Sequence, residues 1–233
     1  MNKIVAIRSR LFTASAVMAL LGLQAGIACA AESPAPPAKP AAPPAGQYQL
    51  DKAHASLLFR VSHMGFSTYT TRFSRFDAEL TFDPNNIPAS KVVTTIDASS
   101  LEMDGALAFC FDIVKGPKLL DTAKFPTIVF RSEKVRMTGT KSMEISGTLN
   151  LHGVTRPLIL TGMFNGGYAG IPDMDPHARV GFSAHGSLTR SDYGMTFGVP
   201  PAGTTAGVGD LIDISIEAEF TGPPLPAPAG QAH

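Results

Sequence analysis

The last long run of the chain body, residues 211–220, alternates without a break. Ile212, Ile214, Ile216, Ala218 and Phe220 oppose Asp213, Ser215, Glu217 and Glu219. Successive side chains of a strand point to opposite faces, so strict period-two alternation demands one dry face and one wet face. An antiparallel sheet offers that arrangement, whereas strands buried between layers of helices read apolar on both faces. The same pattern recurs upstream. In residues 57–63, Leu57, Phe59, Val61 and His63 share one face, and Leu58, Arg60 and Ser62 share the other. Phe76, Ala78, Leu80 and Phe82 oppose Asp77, Glu79 and Thr81, and the turn Asp83-Pro84-Asn85-Asn86 follows. Val92, Thr94 and Ile96 oppose Val93 and Thr95 within 91–97.

Further strands are predicted at 127–131, 143–151, 157–164 and 179–190. Met143, Ile145, Gly147, Leu149 and Leu151 share a face of one; Val180, Phe182, Ala184 and Leu188 point inward from another. The glycine-rich stretch 165–170 reads as a long turn. Residues 98–124 lose the alternation and predict one or two short helices, interrupted at Gly116-Pro117, with helix confined to that stretch. The expectation is an all-β domain over 47–221, with about eight antiparallel strands closed into a barrel or stacked as a sandwich. A barrel of that strand number has room inside for one small ligand.

The two ends have a different character. Lys3, Arg8 and Arg10 precede an apolar stretch at 11–27, and Ala28-Cys29-Ala30 supplies a small-x-small cleavage pattern. Residues 1–30 thus read as an export signal cut after Ala30, which predicts a periplasmic protein. The alternatives are a retained anchor, opposed by Gly22, Gln24 and Gly26 in the apolar run, and a lipoprotein anchored at Cys29. Residues 31–46, AESPAPPAKPAAPPAG, form a Pro/Ala-rich linker, and 222–233 form a tail of similar composition. Neither holds enough apolar surface to fold by itself.

The chain carries 19 basic and 19 acidic residues. Removing the three basic residues of the signal leaves 16 against 19, a net of −3 with no basic run, which disfavours nucleic acid as a partner. Of the two cysteines, Cys29 leaves with the signal, so Cys110 has no partner for an intramolecular disulfide. It is read either as a small buried hydrophobe or as a reactive thiol able to form a homodimer.

No nucleophile elbow, phosphate loop, dinucleotide fingerprint or zinc-type spacing occurs. No cofactor and no catalysis are expected. His54 and His63 lie nine apart and flank a strand, so they should not share a metal. Asp173, Asp175 and His177 alternate in Pro-Asp-Met-Asp-Pro-His, and read as a solvated turn or, alternatively, a cation loop. His63 ends an apolar face, either as a core histidine bonded to a carbonyl or as a handle for a ligand head group. Arg190 follows the inward residues of its strand. Burying it requires a partner, with Asp192 and Asp51 as candidates, or an anionic head group. Ser191 has no adjacent histidine to activate it.

Several ordered fragments resemble the YceI-like polyisoprenoid-binding proteins. They are Asp51-x-x-His54, Phe59-x-x-x-His63-x-Gly65 and Phe76-x-x-x-Leu80-x-Phe82-Asp83, then Leu119-Leu120-Asp121-x-x-Lys124-Phe125-Pro126-x-x-x-Phe130. Gly147-x-Leu149-x-Leu151-His152-Gly153-Val154-Thr155-x-Pro157, Arg190-Ser191-Asp192-Tyr193-Gly194 and Val208-Gly209-Asp210 follow. The chain departs from many relatives at Ala55, where they carry Ser or Thr, and around Phe109-Cys110-Phe111, where it lacks their Arg-Asp-x-His-Leu pattern. The resemblance implies an exported, lipocalin-like antiparallel barrel with an elongated apolar cavity, binding an isoprenoid, quinone-like or other long-chain lipid. A transient membrane contact goes with such a ligand. Candidate ligand-binding residues are Phe59, Val61, His63, Phe76, Leu80, Ile96, Phe130, Leu149, Leu151, Phe182, Arg190 and Ile214. The competing functions are an enzyme for a small apolar substrate and a structural or partner-binding barrel with a filled interior.

Overall fold

The computed structural model describes residues 41–226. The expected export signal with its expected cleavage point, Cys29, linker residues 31–40 and tail residues 227–233 lie outside the described residues. The described strands are β1 (Gly46–His63), β2 (Ser67–Phe73), β3 (Phe76–Phe82), β4 (Lys91–Asp97) and β5 (Leu101–Glu102), then β6 (Thr127–Met137), β7 (Ser142–Leu151), β8 (Val154–Tyr168), β9 (His177–Thr189) and β10 (Val208–Pro224). One α-helix, α1 (Ala108–Lys115), lies between β5 and β6.

Eight of the strands close a ring in the order β1-β3-β4-β6-β7-β8-β9-β10, and β10 returns to β1. Every pairing is antiparallel. The eight are the eight runs of alternation in the sequence, so the all-β antiparallel barrel stands. The closing seam sets Leu57 opposite Ile216, Phe59 opposite Ile214 and Val61 opposite Ile212. Directly opposed residues share a face, so the dry faces of the first and last strands meet inside.

β1 changes partner halfway. Gly46–Gln49 pairs with β3, whereas Leu58–His63 pairs with β2, which carries β5 on its far edge. Between those segments β1 bulges: Leu50 faces Phe220 and Ala55 faces Ala218, leaving residues 51–54 opposite Glu219 alone. The bulge turns the strand away from the barrel and puts Asp51 and His54 on the outer surface.

One end of the barrel is plugged by aromatic rings. Phe82, 1% exposed, lies 5.8 Å from Tyr48, 5.5 Å from Phe164 and 5.8 Å from Phe182, and Phe182 in turn lies 6.2 Å from Phe220. Several of these pairs are edge-on, which suits the ring quadrupoles. Linker residues 41–45 run over this end, where Tyr48 donates to the Pro44 carbonyl at 2.7 Å and the Ala169 amide to Ala41 at 2.9 Å. The other end is roofed by the crossover from β4 to β6, which contains β5 and α1.

Four expectations need correction. First, β2 was not anticipated: its inward residues are Tyr69, Thr71 and Phe73, and a Tyr/Thr face lacks the aliphatic signature of a buried strand. Second, 165–168 is not turn but the end of β8. Gly166 and Gly167 pair with Gly181 and Val180 just after a bulge, and Val180 and Pro43 crowd the space where a side chain on Gly167 would stand. Third, helical turns are not confined to 98–124. Short 3₁₀ turns also form at Ile87–Ala89, started by Pro88, and at Arg190–Tyr193, stopped by Gly194 in the left-handed region. Fourth, the start of the tail is folded: β10 runs to Pro224, which pairs with His177, and Gly222 lies against the Tyr48 ring.

The β6–β7 register leaves no room at Gly147. A β-carbon there would strike the Arg131 carbonyl and stand 2.8 Å from the Phe130 ring. Gly147→Ala is expected to lower the urea-unfolding free energy by about 1–3 kcal/mol, the usual cost of overpacking. An unchanged midpoint would contradict this register.

Candidate functional site

The inward faces do not fill the barrel. They enclose a cavity of about 690 Å³, in the range of ligand-binding cavities. Its wall is contributed by every strand of the ring, with Phe59 and Val61 from β1, Leu80 from β3, Ile96 from β4 and Phe130 from β6. Leu149 and Leu151 of β7, Leu160 of β8, Ala184 of β9 and Ile214 of β10 complete it. Phe59, Val92, Ile145, Leu188 and Ile214 point inward yet are only half-buried, because the space they face is unfilled. The roof over it consists of Met103, Ala106, Cys110, Ile113, Val114, Leu119 and Leu120. Cys110 faces the cavity from α1 as a half-buried apolar group.

Of the candidate ligand-binding residues, all but Phe76 line this cavity. Phe76 opens β3 near the height at which β1 has left β3 for β2, and it lines a surface groove there with Lys52, Ser56 and Phe73 instead. Phe182 belongs to the aromatic plug at the closed end, not to the middle of the wall. Leu57, Leu158 and Ile216 carry as much of the wall as the expected residues, and the same alternation could have found them.

Polarity concentrates at the roofed end. His63 and Ser67, direct neighbours across the β1–β2 pair, stand at its edge and are exposed. Arg190 stands deeper, 5% exposed. Neither expected partner pairs with it. Its Nε donates to Gly209 at 2.9 Å, Nη1 to Met195 at 2.6 Å and to Phe197 at 2.9 Å, and Nη2 to Val208 at 2.8 Å. Asp51 is taken by Arg179 and His54, and Asp192 offers its carbonyl to Arg156. The guanidinium therefore solves a backbone problem: it satisfies carbonyls of the loop after β9 and of the start of β10 that no strand can reach. Burial pushes its pKa below the ordinary arginine value, against the opposing field of the Asp210 carboxylate. The adjacent Asp210 accepts from Ser191, at 2.9 Å from the amide and 2.6 Å from the hydroxyl, which fixes that hydroxyl in the loop.

Three of the ordered sequence fragments converge beside Arg190. His152 Nδ1 lies 2.9 Å from the Tyr193 carbonyl, and its ring stands edge-on to Phe125 at 4.8 Å. His152 and Gly153 both have positive φ in the tight turn joining β7 to β8. The fragments around Phe125, His152 and Tyr193 thus lock the roof to the barrel end.

The Asp-x-x-His fragment lies at the opposite end, on the outer surface. Asp51 bridges His54, at 3.0 Å, and Arg179, which also holds Asp175 at 2.8 Å. The His54 hydrogen bond, with Arg179 beside it, draws the Asp51 carboxyl down to about 2, and Asp51 in turn raises His54 above the ordinary imidazole value. Asp51, His54 and Glu219 offer ligand atoms within 4.8 Å of one another, but the Asp51 carboxylate is already held by Arg179. Asp173, Asp175 and His177 are not gathered as a cation loop: Asp175 accepts from Tyr168 at 2.9 Å and from Arg179.

The YceI-like domain profile matches residues 48–220. A UPF0312 protein of Vibrio cholerae is 36% identical over 160 residues, covering 67% of this chain and 81% of the relative. One from Vibrio vulnificus is 37% identical over 186 residues, covering 78% and 90%. Among solved structures, Burkholderia cenocepacia BcnA superposes with a TM-score of 0.61 at 19% identity, covering 73% of this chain and 98% of that one. A polyisoprenoid binding domain from Saccharophagus degradans, described as implicated in plant cell wall breakdown, gives a TM-score of 0.54 at 16% identity, covering 76% and 98%. At such identities these likenesses concern the fold.

Arg190→Met leaves several carbonyls without donors and is expected to cost about 3 kcal/mol or more in urea unfolding. Arg190→Lys should recover only part of this, because an ammonium cannot match the planar fork. Full recovery would mean that charge alone matters. A second outcome concerns pH. Because His54 is raised in the folded chain, its contribution is complete below the ordinary imidazole pKa and is lost as pH rises through the raised value. The Tm advantage of the parent over His54→Gln should therefore shrink as pH rises above 6.5, the ordinary imidazole value. Asp51 acts oppositely: its contribution is present above 3.8 and fades as pH falls toward about 2.

Proposed function

The chain belongs to the YceI-like domain family, and with that membership as the premise we propose that it is an exported binding protein. Its barrel would shield the tail of a polyisoprenoid, quinone-like or other long-chain amphiphile. The observation that carries this reading is the mainly apolar cavity of about 690 Å³ inside the barrel. Interiors are normally close-packed, and an unfilled volume of this size forgoes on the order of 10 kcal/mol of contact energy. A hydrocarbon chain is the ligand that restores those contacts without asking the wall for polar partners. At ~0.8 kcal/mol per buried carbon, each isoprene unit contributes about 3–4 kcal/mol gross. About four units approach 12–16 kcal/mol, less the cost of ordering the chain, which leaves micromolar to nanomolar affinity.

The distribution of polarity gives the ligand a direction. The tail would run toward the Phe82–Phe182 plug, and the head would stay near His63 and Ser67 under the roof. Arg190 is committed to carbonyls, so it would act on the head through its field and by holding the loop. The reading is supported by the polyisoprenoid-binding description of the Saccharophagus domain and by the apolar wall, and it makes the protein a carrier or store and not a catalyst. The export signal would deliver it to the periplasm, where a transient membrane contact would load it.

Two measurements test this. Protein from the envelope fraction should begin at Ala31 on N-terminal sequencing; a lipid-modified Cys29 would replace the free carrier with an anchored one. Organic extraction of that protein should release a long-chain isoprenoid or similar amphiphile in about equimolar amount. Ile214→Asp places an uncompensated carboxylate mid-wall, away from the plug, and should abolish retention while thermal unfolding shows the chain still folded. If the parent carries no lipid and takes up no polyprenol on incubation, the carrier reading fails.

A further inference from the structure

Most large apolar side chains of a folded domain find cover, so those that do not are informative when they cluster. Five of them cluster around the roofed end of this barrel. Phe66 is 88% exposed, Leu107 65%, Phe109 59%, Phe197 43% and Met64 36%. They come from three separate segments that the fold draws together. The β1–β2 turn is tied to the loop before β10 by the Met64 amide, which donates to Gly207 at 2.8 Å. That loop meets the roof through the Lys118 ammonium, 4.6 Å from the centre of the Phe197 ring. The roof meets β2 through Tyr69, whose hydroxyl donates to Asp104 at 3.2 Å.

Inside this ring the cavity begins. Phe197, His63 and Ser67 line it and are exposed, and Cys110, next to Phe109, lines it from α1. The apolar rim is therefore continuous with the apolar wall. The ends of the described chain lie at the opposite pole, where Ala41 bonds Ala169 and Leu225 bonds Pro176, so neither covers the rim.

We propose that this rim is a membrane-docking surface: Phe66, Phe109, Leu107 and Phe197 insert into the interfacial layer of a bilayer with the cavity mouth facing the lipid. The inference rests on the carrier reading and names where its ligand enters. A long-chain lipid leaving a bilayer through water exposes its whole tail, whereas a rim seated in the acyl boundary gives the tail an apolar path to Phe59 and Ile214. The occupant is a lipid surface because the exposed side chains are separate tips around an opening. A flat protein face laid across them would close that opening. Charges of both signs stand on the roof, at Asp104, Asp112, Lys115 and Lys118, and both lysines are already engaged, Lys115 with the Ser99 carbonyl and Lys118 with the Phe197 ring, so seating is driven by apolar insertion.

The absence of tryptophan from the chain makes a clean test. Phe66→Trp introduces a single reporter. On mixing with phosphatidylethanolamine–phosphatidylglycerol vesicles in high salt, which screens charge attraction, its emission should shift to the blue and its quenching by iodide should fall. Ile159→Trp, at a 57% exposed position on the barrel wall, should show neither change. In flotation, Phe66→Ser and Phe109→Ser should each weaken vesicle binding by about tenfold, in line with one ring withdrawn from an apolar phase. Both should leave uptake of a dispersed fluorescent polyprenol unchanged. A parent protein that takes up polyprenol but stays off vesicles overturns the docking surface and leaves lipid carriage standing. Equal loss of flotation in Ile159→Ser overturns it as well. Failure of polyprenol uptake by the parent itself defeats the carrier reading on which the surface rests.

Discussion

The seam between β1 and β10 is the pairing on which the rest of the molecule depends. Until those strands meet, the sheet has two open edges and its apolar face lies against water. Once Leu57, Phe59 and Val61 oppose Ile216, Ile214 and Ile212, the ring closes, only the short β5 beside β2 is left as an edge, and the dry faces curve around a common axis. The seam joins segments more than 140 residues apart, so forming it carries a large loop-closure entropy that its apolar contacts must offset. The aromatic plug forms from the same event, since Tyr48 and Phe220 come from the two strands of the seam and stack on Phe82 and Phe182.

Closure creates an asymmetry between the poles. At the plugged end, rings fill the space and the chain ends pack outside. At the other end the strands run out before their backbone groups are satisfied. Arg190 resolves this by donating to four carbonyls, and His152 and Asp210 add their own bonds to the same corner. A polar scaffold there keeps the end from collapsing into the cavity. Buried side-chain polar atoms without partners are absent among the described residues, which is the expected mark of a finished scaffold and not a strained one. The Asp51–Arg179–Asp175 bridge does similar work at the bulge, on the outer surface and away from the ligand space.

Function follows from what is left unfilled. On the carrier reading, a wall dominated by Val, Ile, Leu and Phe, with few inward polar residues such as Thr94 and Ser90, would favour a long apolar chain and discriminate weakly among chains of similar girth, because each carbon contributes alike. On the proposed carrier reading, specificity would sit at the mouth, in His63, Ser67 and the loop that Arg190 holds, and in whichever surface the mouth is turned toward.

Much of this was legible in the sequence. Period-two alternation is a local property, so the eight ring strands, their inward faces and nearly all of the expected cavity wall could be read without coordinates. The misplaced Phe76 shows the limit: it has the right parity, yet the strands separate beside it, and separation depends on which neighbour β1 chooses at that height. Arg190 shows the same limit in chemistry. The sequence requires that a buried guanidinium be satisfied, but carbonyls carry no residue signature, so their role emerged only from the folded loop. Whether the barrel would be hollow was likewise beyond reach, since alternation states which side chains face inward and not whether they meet across the axis. The sequence by itself determined the strands and their dry faces, because those depend on neighbours one and two residues away. The cavity, its polar mouth and the exposed rim were decided only by the tertiary structure, because they depend on strand tilt, bulges and loop docking between residues far apart in the chain.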